Sequence, residues 1–270
     1  MKNLLVLISL ASLIAVSAQA EQVSPVRHGR GFIKSQRFGL AKGAPFVSPK
    51  FHGTIPTTYS LPSNGFEPPT RDQGQCGSCW AFASTMTLDY SALMFAKLNV
   101  VLAEEEIVSY DSENDGCNGG NFAGDFMVQN GLVLDSACPY TEGQGCPSGQ
   151  PSTFAAKPAS WANIGQDGRS PTTEEIQNAI LQYGAVAVDV AASGWDSYSG
   201  GVYNSCDDQS IDHLVTIVGW NGADKAWYVK NSWGESWGEK IPGSKYSGYI
   251  EIPYGCDAIA TDASYVSYNK

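Results

Sequence analysis

Gln73-Gly-Gln-Cys-Gly-Ser-Cys79-Trp-Ala-Phe82 sets two cysteines at C-x-x-C spacing, with a glutamine six residues before the second. Three readings compete for Cys76 and Cys79: a structural pair, a redox pair, or one disulfide half beside a catalytic thiol. Apolar side chains follow at Phe82, Met86, Tyr90, Leu93 and Met94, in steps of three and four, which predicts a helix over residues 79–97. Cys79 then opens the helix, where the positive end of the backbone dipole lowers a thiol pKa.

The rest of the chain limits the choice. Residues 1–20 carry Lys2, an apolar run from Leu4 to Val16, and a small-x-small site at Ala18-Gln-Ala20. That run is too short to cross a bilayer and reads as a secretory signal peptide. Export implies an oxidising compartment, so the seven cysteines imply disulfides, and an odd count leaves one thiol over. The net charge of −11 hides an asymmetry: residues 21–52 hold six basic side chains and one acid. From Gly53 onward nine Lys and Arg face 26 Asp and Glu, the opposite of a nucleic-acid binder. The basic segment reads as a solvated tail or as a pro-segment complementing an acidic body.

The first half of the body is helical in pattern. Residues 102–110 offer a second helix, and Glu104, Glu105 and Glu106 read as its solvated first turn. Thr172-Thr-Glu-Glu175 is a capping box, followed by Ile176, Ile180 and Tyr183, with Gly184 as the stop. Five short β-branched or alternating runs follow, at 185–190, 214–219, 226–230, 248–252 and 263–268. Helices first and strands later predict an α+β fold with a helical lobe against a β lobe.

Of three histidines, His28 and His52 fall in the basic segment, which leaves His213 as the single imidazole of the body. Asn231 lies downstream in Asn231-Ser-Trp233-Gly-Glu-Ser-Trp237-Gly238. Thiol proteolysis needs an activated thiolate, an imidazole to return a proton to the leaving amine, an amide oxygen to orient that ring, and donors for the oxyanion. Cys79, His213, Asn231 and Gln73 supply those groups. A C-G-S-C-W run with His and Asn far downstream is a known cysteine-protease signature. From about Ile55 onward the chain resembles the papain family of cysteine peptidases, through Gln73–Phe82, Gly116-Cys-Asn-Gly-Gly120, Asp212-His213 and Asn231–Gly238.

The resemblance implies a two-lobe fold with a helical left lobe, a β-barrel-like antiparallel right lobe, and the active-site cleft between them. It implies Cys79 as nucleophile, His213 as acid and base, and Asn231 as its orienter. Gln73 and the Cys79 N–H would form the oxyanion hole, Trp233 would shield the His–Asn contact, and Gly119 and Gly120 would pair with substrate on the acyl side. It also implies disulfides Cys76–Cys117 and Cys206–Cys256; Cys138–Cys146 then follows by elimination, leaving Cys79 free. Tyr110 stands where many relatives have another cysteine. The S2 walls would be Phe122, Ile211, Leu214 and Thr261, with Val188 or Asp189 nearby, and Asp212 would also bind substrate. Leu214 takes a site usually given to Ala or Gly, which predicts a shallow apolar pocket. Asp189 turned inward would instead favour a basic P2 residue.

The expected organisation is a signal peptide over 1–20, a short basic pro-segment over 21–53 and a peptidase domain over 54–270. Within it the helical lobe would span about 66–164 and the β lobe about 165–270. The expected protein is a monomeric secreted endopeptidase made as a zymogen, in an extracellular, periplasmic or lysosome-like compartment. Its partners would be polypeptide substrates, protein inhibitors and its own pro-segment. It would use no metal or other cofactor, no nucleic acid and no membrane anchor. Relatives commonly carry a longer helical pro-domain, so latency here would rest on the basic segment covering the acidic cleft. Residues 50–55 would be the processing region, and residues 240–247 look inserted. The alternatives are an inactive papain-like binding protein and a C-x-x-C thiol–disulfide oxidoreductase.

Overall fold

The computed structural model describes residues 28–33 and 45–268, so the signal-peptide expectation lies outside the described residues. Helices dominate the first half: α1 (Cys79–Ala96), α2 (Glu104–Tyr110) and α3 (Gly124–Asn130), with α4 (Thr173–Tyr183) further on. The strands are β1 (Phe46–Val47), β2 (Thr58–Ser60), β3 (Ser160–Ile164), β4 (Val186–Val190), β5 (His213–Asn221), β6 (Ala226–Lys230), β7 (Tyr249–Pro253) and β8 (Ala263–Ser267). They form one sheet in the order β1-β3-β8-β4-β5-β6-β7, with β2 also on β5. The sheet is open, not closed into a barrel, and its edge pair β1·β3 is parallel where the other ladders are antiparallel. This is the α+β, two-lobe arrangement, with β3 contributing to the sheet from within the first 164 residues.

The apolar stripe read along α1 captures only part of its packing. Every residue from Cys79 to Ala92 is buried. Met86 and Tyr90 join the β-lobe core, while Cys79, Trp80, Ala83, Leu88 and Ala92 join the helical-lobe core. A helix buried all round has no polar face for a periodicity reading to find. It therefore stands as the shared wall of both lobes, with its N-terminus at the junction. On α4 the Thr172 hydroxyl accepts from the Glu175 N–H and the Glu175 carboxylate accepts from the Thr172 N–H, so the capping box forms.

The acidic triplet at the head of α2 is not solvated. Glu104, Glu105 and Glu106 are all at most 2% exposed. Glu105 accepts from the Ser109 hydroxyl and the N–H groups of Thr141, Gly143 and Gly145; Glu106 accepts from the Val133 N–H. Glu104 lies 2.9 Å from the Arg71 guanidinium, which also holds Asp135. Buried carboxylates persist when backbone donors or cations satisfy them. The acceptors organise loops 27 to 40 residues away in sequence, beyond the reach of a local reading.

Three disulfides close the chain: Cys76–Cys117, Cys138–Cys146 and Cys206–Cys256, with Cys79 free and buried. Tyr110 packs against the Cys138–Cys146 bridge, and its hydroxyl accepts from the Cys146 N–H. Residues 240–247 dock on the segment after β2: Ser60 and Ser63 donate to the Pro242 carbonyl, and Glu67 accepts from the Lys245 N–H.

Candidate active site

The lobes meet where the N-terminus of α1 faces the first residue of β5. Cys79 and His213 are both fully buried. His213 Nε2 lies 2.8 Å from Asn231 Oδ1, and that oxygen also accepts from the Ser232 N–H. The second acceptor bond leaves Asn231 little freedom to turn its amide away from the ring. The Trp233 indole covers the pair, 5.0 Å from the His213 ring, and Trp237 braces it edge-on at 5.1 Å. β5 delivers His213 and the end of β6 delivers Asn231, so antiparallel pairing of these two strands brings residues 18 apart into contact.

Gln73 is fully buried; its amide nitrogen donates to the Cys76 carbonyl at 3.0 Å. Its amide oxygen accepts from the Ser232 hydroxyl at 2.6 Å, which fixes the amide so that its NH2 faces the Cys76–Cys79 turn. Tyr140 adds a second clamp, with its hydroxyl on the Gln73 carbonyl at 2.9 Å. Ser232 and Tyr140 were missed in the sequence: one is an ordinary serine inside a motif, the other lies 67 residues from its partner.

A strap of the chain's own upstream segment fills the cleft. Residues 28–33 run from Trp233, past Cys79, to Gly120. His28 stacks flat on Trp233 at 4.7 Å. The Gly29 N–H donates to Gly74, Phe32 to the Asp212 carbonyl and Ile33 to the Gly120 carbonyl, while the Gly120 N–H donates to Gly31. This makes a parallel bridge between Phe32 and Gly120. The backbone N–H of Gly31, with those of Leu214 and Trp80, is directed at the Cys79 sulfur. A peptide N–H, not a carbonyl carbon, thus faces the thiol.

The strap sets the electrostatics. Burial pushes the Cys79 thiol up to about 11, although three N–H groups act to lower it. Burial likewise drives His213 down to about 4; the Asn231 contact opposes this, and the neighbouring Arg30 and His28 side chains add to it. With the strap seated, the pair is held as neutral thiol and neutral imidazole at neutral pH.

Phe32 is buried in one apolar cluster with Phe122, Ala187 and Leu214, with Ile211 packed against it, and a cavity of only about 10 Å³ remains beside them. Thr261 does not line that cavity: it lines a separate hollow with Trp227 and Tyr254, and its hydroxyl donates to Asp189. Asp189 pairs with Leu214 in the β4·β5 register, so it sits on the cleft-facing side of the sheet, fully buried. Its carboxylate accepts from Thr261 and the Asp262 N–H. Gly119 and Gly120 stand at the far end, with Glu113, Asn114, Asp115 and Asn121 around a cavity of about 330 Å³. At Gly119 (φ 125°), a Cβ would meet the Gly31 carbonyl oxygen at 2.5 Å.

Residues 57–267 match the sequence profile of the papain family cysteine proteases. The chain belongs to the papain family. It is 33% identical over 260 residues to a thiol protease of Hemerocallis sp., covering 90% of this chain and 67% of the relative. It is 32% identical over 261 residues to cathepsin L of Sarcophaga peregrina, covering 91% and 73%. Among solved structures, the digestive procathepsin L2 proteinase of Tenebrio molitor superposes with a TM-score of 0.76 at 27% identity, over 89% of this chain and 78% of that one. A Carica candamarcensis cysteine protease in complex with E-64 matches at 29% identity with a TM-score of 0.66, over 80% and 100%. The protein is a cysteine-type endopeptidase. The oxidoreductase alternative loses its dithiol, because Cys76 is bonded to Cys117. Among the described residues no group of His, Cys, Asp and Glu is arranged to hold a metal, and no helix is long and apolar enough to cross a membrane.

Proposed function

We propose that this protein is an exported zymogen whose Cys79 thiolate and His213 imidazolium hydrolyse peptide bonds once residues 21–53 leave. The observation that carries the reading is the fully buried His213–Asn231 hydrogen bond beside the single free thiol at the head of α1. Departure of the strap returns water to the cleft and removes the Arg30 cation, which opposes the imidazolium. The α1 dipole then supports the thiolate. Cys79 Sγ attacks the scissile carbonyl carbon, and the oxyanion takes hydrogen bonds from the Gln73 amide and the Cys79 N–H. His213 Nδ1 gives its proton to the leaving amine as the C–N bond breaks, leaving a thioester. It then takes a proton from water, whose oxygen attacks the thioester carbonyl; carboxylic acid leaves and the proton returns to sulfur.

The substrate's acyl side lies along Gly119 and Gly120, so a substrate runs from Gly120 towards Trp233. The strap runs the other way and offers no carbonyl to the thiol, which accounts for a bound segment that is not cut. Phe122, Ile211 and Leu214 favour an apolar P2 side chain. The buried Phe32 beside them widens the expectation from a shallow pocket to one that admits an aromatic ring. The test is titration of the processed protein with an epoxysuccinyl thiol-protease inhibitor and mapping of the adduct. One adduct on Cys79, with loss of peptide hydrolysis, is expected. Hydrolysis that survives quantitative Cys79 labelling would overturn the assignment.

A further inference from the structure

Beyond the cleft's catalytic groups, one element of the strap is held by side chains the reaction does not use. Arg30 Nη2 lies 2.9 Å from Asp196 Oδ2, and its Nε lies 3.7 Å from Asp212 Oδ2. Its guanidinium carbon stands 5.4 Å over the Trp233 ring. Two carboxylates flanking an aromatic face make a slot shaped for a planar cation. The slot is built independently of the strap. The Ala192 N–H holds Asp212 Oδ1 at 2.8 Å, which leaves the other oxygen towards the cleft. Asp196 follows Trp195, whose indole stacks on Trp237 and donates to Asp257, and whose carbonyl accepts from Trp237.

Trp233 covers His213, the group that protonates the leaving amine, and Gly119 and Gly120 lie on the opposite side of Cys79. The slot is therefore on the leaving-group side. In the strap, Gly31 faces the sulfur and Arg30 is the next residue towards Trp233. In a substrate the residue in that place is P1′, immediately after the cut bond.

We propose that Asp196, with Asp212 and Trp233, forms an S1′ site selective for arginine, and that Arg30 occupies it in the zymogen. The proposal rests on the cysteine-protease reading above. Once processing vacates the slot, a substrate arginine after the scissile bond gains a charge-assisted hydrogen bond and a ring contact that an uncharged isostere lacks. The acidic body adds long-range attraction for such substrates.

The test uses the processed enzyme and internally quenched peptides identical except at P1′, with arginine, citrulline or alanine. The expected kcat/KM ratio of arginine to citrulline is about tenfold in the wild type at low salt, in keeping with one charge-assisted hydrogen bond. It falls towards one in Asp196→Asn, read as a ratio within each enzyme so that a general loss of activity cancels. Equal cleavage of the arginine and citrulline peptides by the wild type overturns the proposal while leaving the protease intact. An unchanged ratio in Asp196→Asn overturns the assignment to Asp196. If Asp196→Asn does not fold, the wild-type ratio decides alone, and it must also shrink as salt is raised. Failure of the processed wild type to cut any peptide overturns the protease reading itself.

Discussion

Gly31→Ala in the unprocessed chain tests whether the strap imposes latency. A Cβ on Gly31 would stand 1.8 Å from the Gly77 carbonyl oxygen and 2.5 Å from Gly77 Cα. Those are backbone atoms of the turn that carries Cys76 and Cys79, so no side-chain rotation relieves the clash. The strap must lift. Lifting it locally breaks the Gly120-to-Gly31 and Phe32-to-Asp212 hydrogen bonds, and full release also breaks those from Gly29 and Ile33. At about 1 kcal/mol net per bond, local lifting costs about 2 kcal/mol and full release about 4 kcal/mol. The open fraction then rises by about 30-fold to about a thousandfold, and peptidase activity of the unprocessed variant rises with it, since only the open form admits substrate. The assay is the initial rate on a fluorogenic peptide, alongside the rate of Cys79 alkylation, before self-processing begins. The processed product of this variant is identical to the parent's, so its activity reports whether the variant folded. A Gly31→Ala zymogen as silent and as slow to alkylate as the parent, yielding a fully active processed enzyme, would refute the reasoning.

Three further predictions follow from the same geometry. Ser232→Ala removes the donor that fixes Gln73 Oε1; kcat of the processed enzyme is expected to fall about tenfold with KM little changed, a smaller loss than the hundredfold or more for Gln73→Ala, and an unaltered kcat would remove Ser232 from this role. In the zymogen, iodoacetamide labelling of Cys79 should stay slow until the pH nears the raised thiol value of about 11, whereas the processed enzyme should label rapidly in mild acid; superimposable pH–rate profiles would contradict it. Glu104, which burial raises from 4.5 to about 7 against the opposing pull of Arg71, binds its proton more tightly folded than unfolded. Its contribution is therefore fully present below about pH 4.5 and lost as pH rises through about 7, amounting to about 3 kcal/mol. Thermal unfolding should show that slope in the parent and not in Glu104→Gln.

The candidate set Gln73, Cys79, His213 and Asn231 could be picked out in the sequence because each member belongs to a short motif whose chemistry constrains its neighbours. The strands β4 to β8 were legible because each is a brief apolar run between turns. α3 and β3 were not predicted: α3 has seven residues, and β3 lies in a stretch read as part of the helical lobe. The acidic triplet failed for a different reason. Three consecutive glutamates at a helix start suit solvent and backbone donors equally well in one dimension. Only the fold places the N–H groups of Val133, Thr141, Gly143 and Gly145 around them. Asp196 was silent likewise, because its partner Arg30 is 166 residues away.

In the proposed zymogen the work of latency falls to residues 28–33. Their alternation His28-Gly29-Arg30-Gly31-Phe32 divides the work by position. The glycines lie against backbone: a Cβ on Gly29 would meet the Cys76 carbonyl oxygen at 2.3 Å, as one on Gly31 would meet Gly77. The side chains between them anchor outward, His28 and Arg30 on Trp233 and its flanking carboxylates, Phe32 in the apolar cluster. Occlusion alone would leave an ion pair ready behind the strap. Here the same six residues also exclude water and set two basic side chains near His213, so both members of the pair stay neutral. On the proposed zymogen reading, removing the strap would open the cleft and switch on the nucleophile in a single event. A variant that loses the Arg30 charge while the other strap contacts remain, Arg30→Gln, separates the two effects. Electrostatic silencing predicts a higher imidazole pKa, read by NMR titration of His213 in a chain that still excludes substrate. An unmoved pKa would leave burial by itself to account for the silent pair.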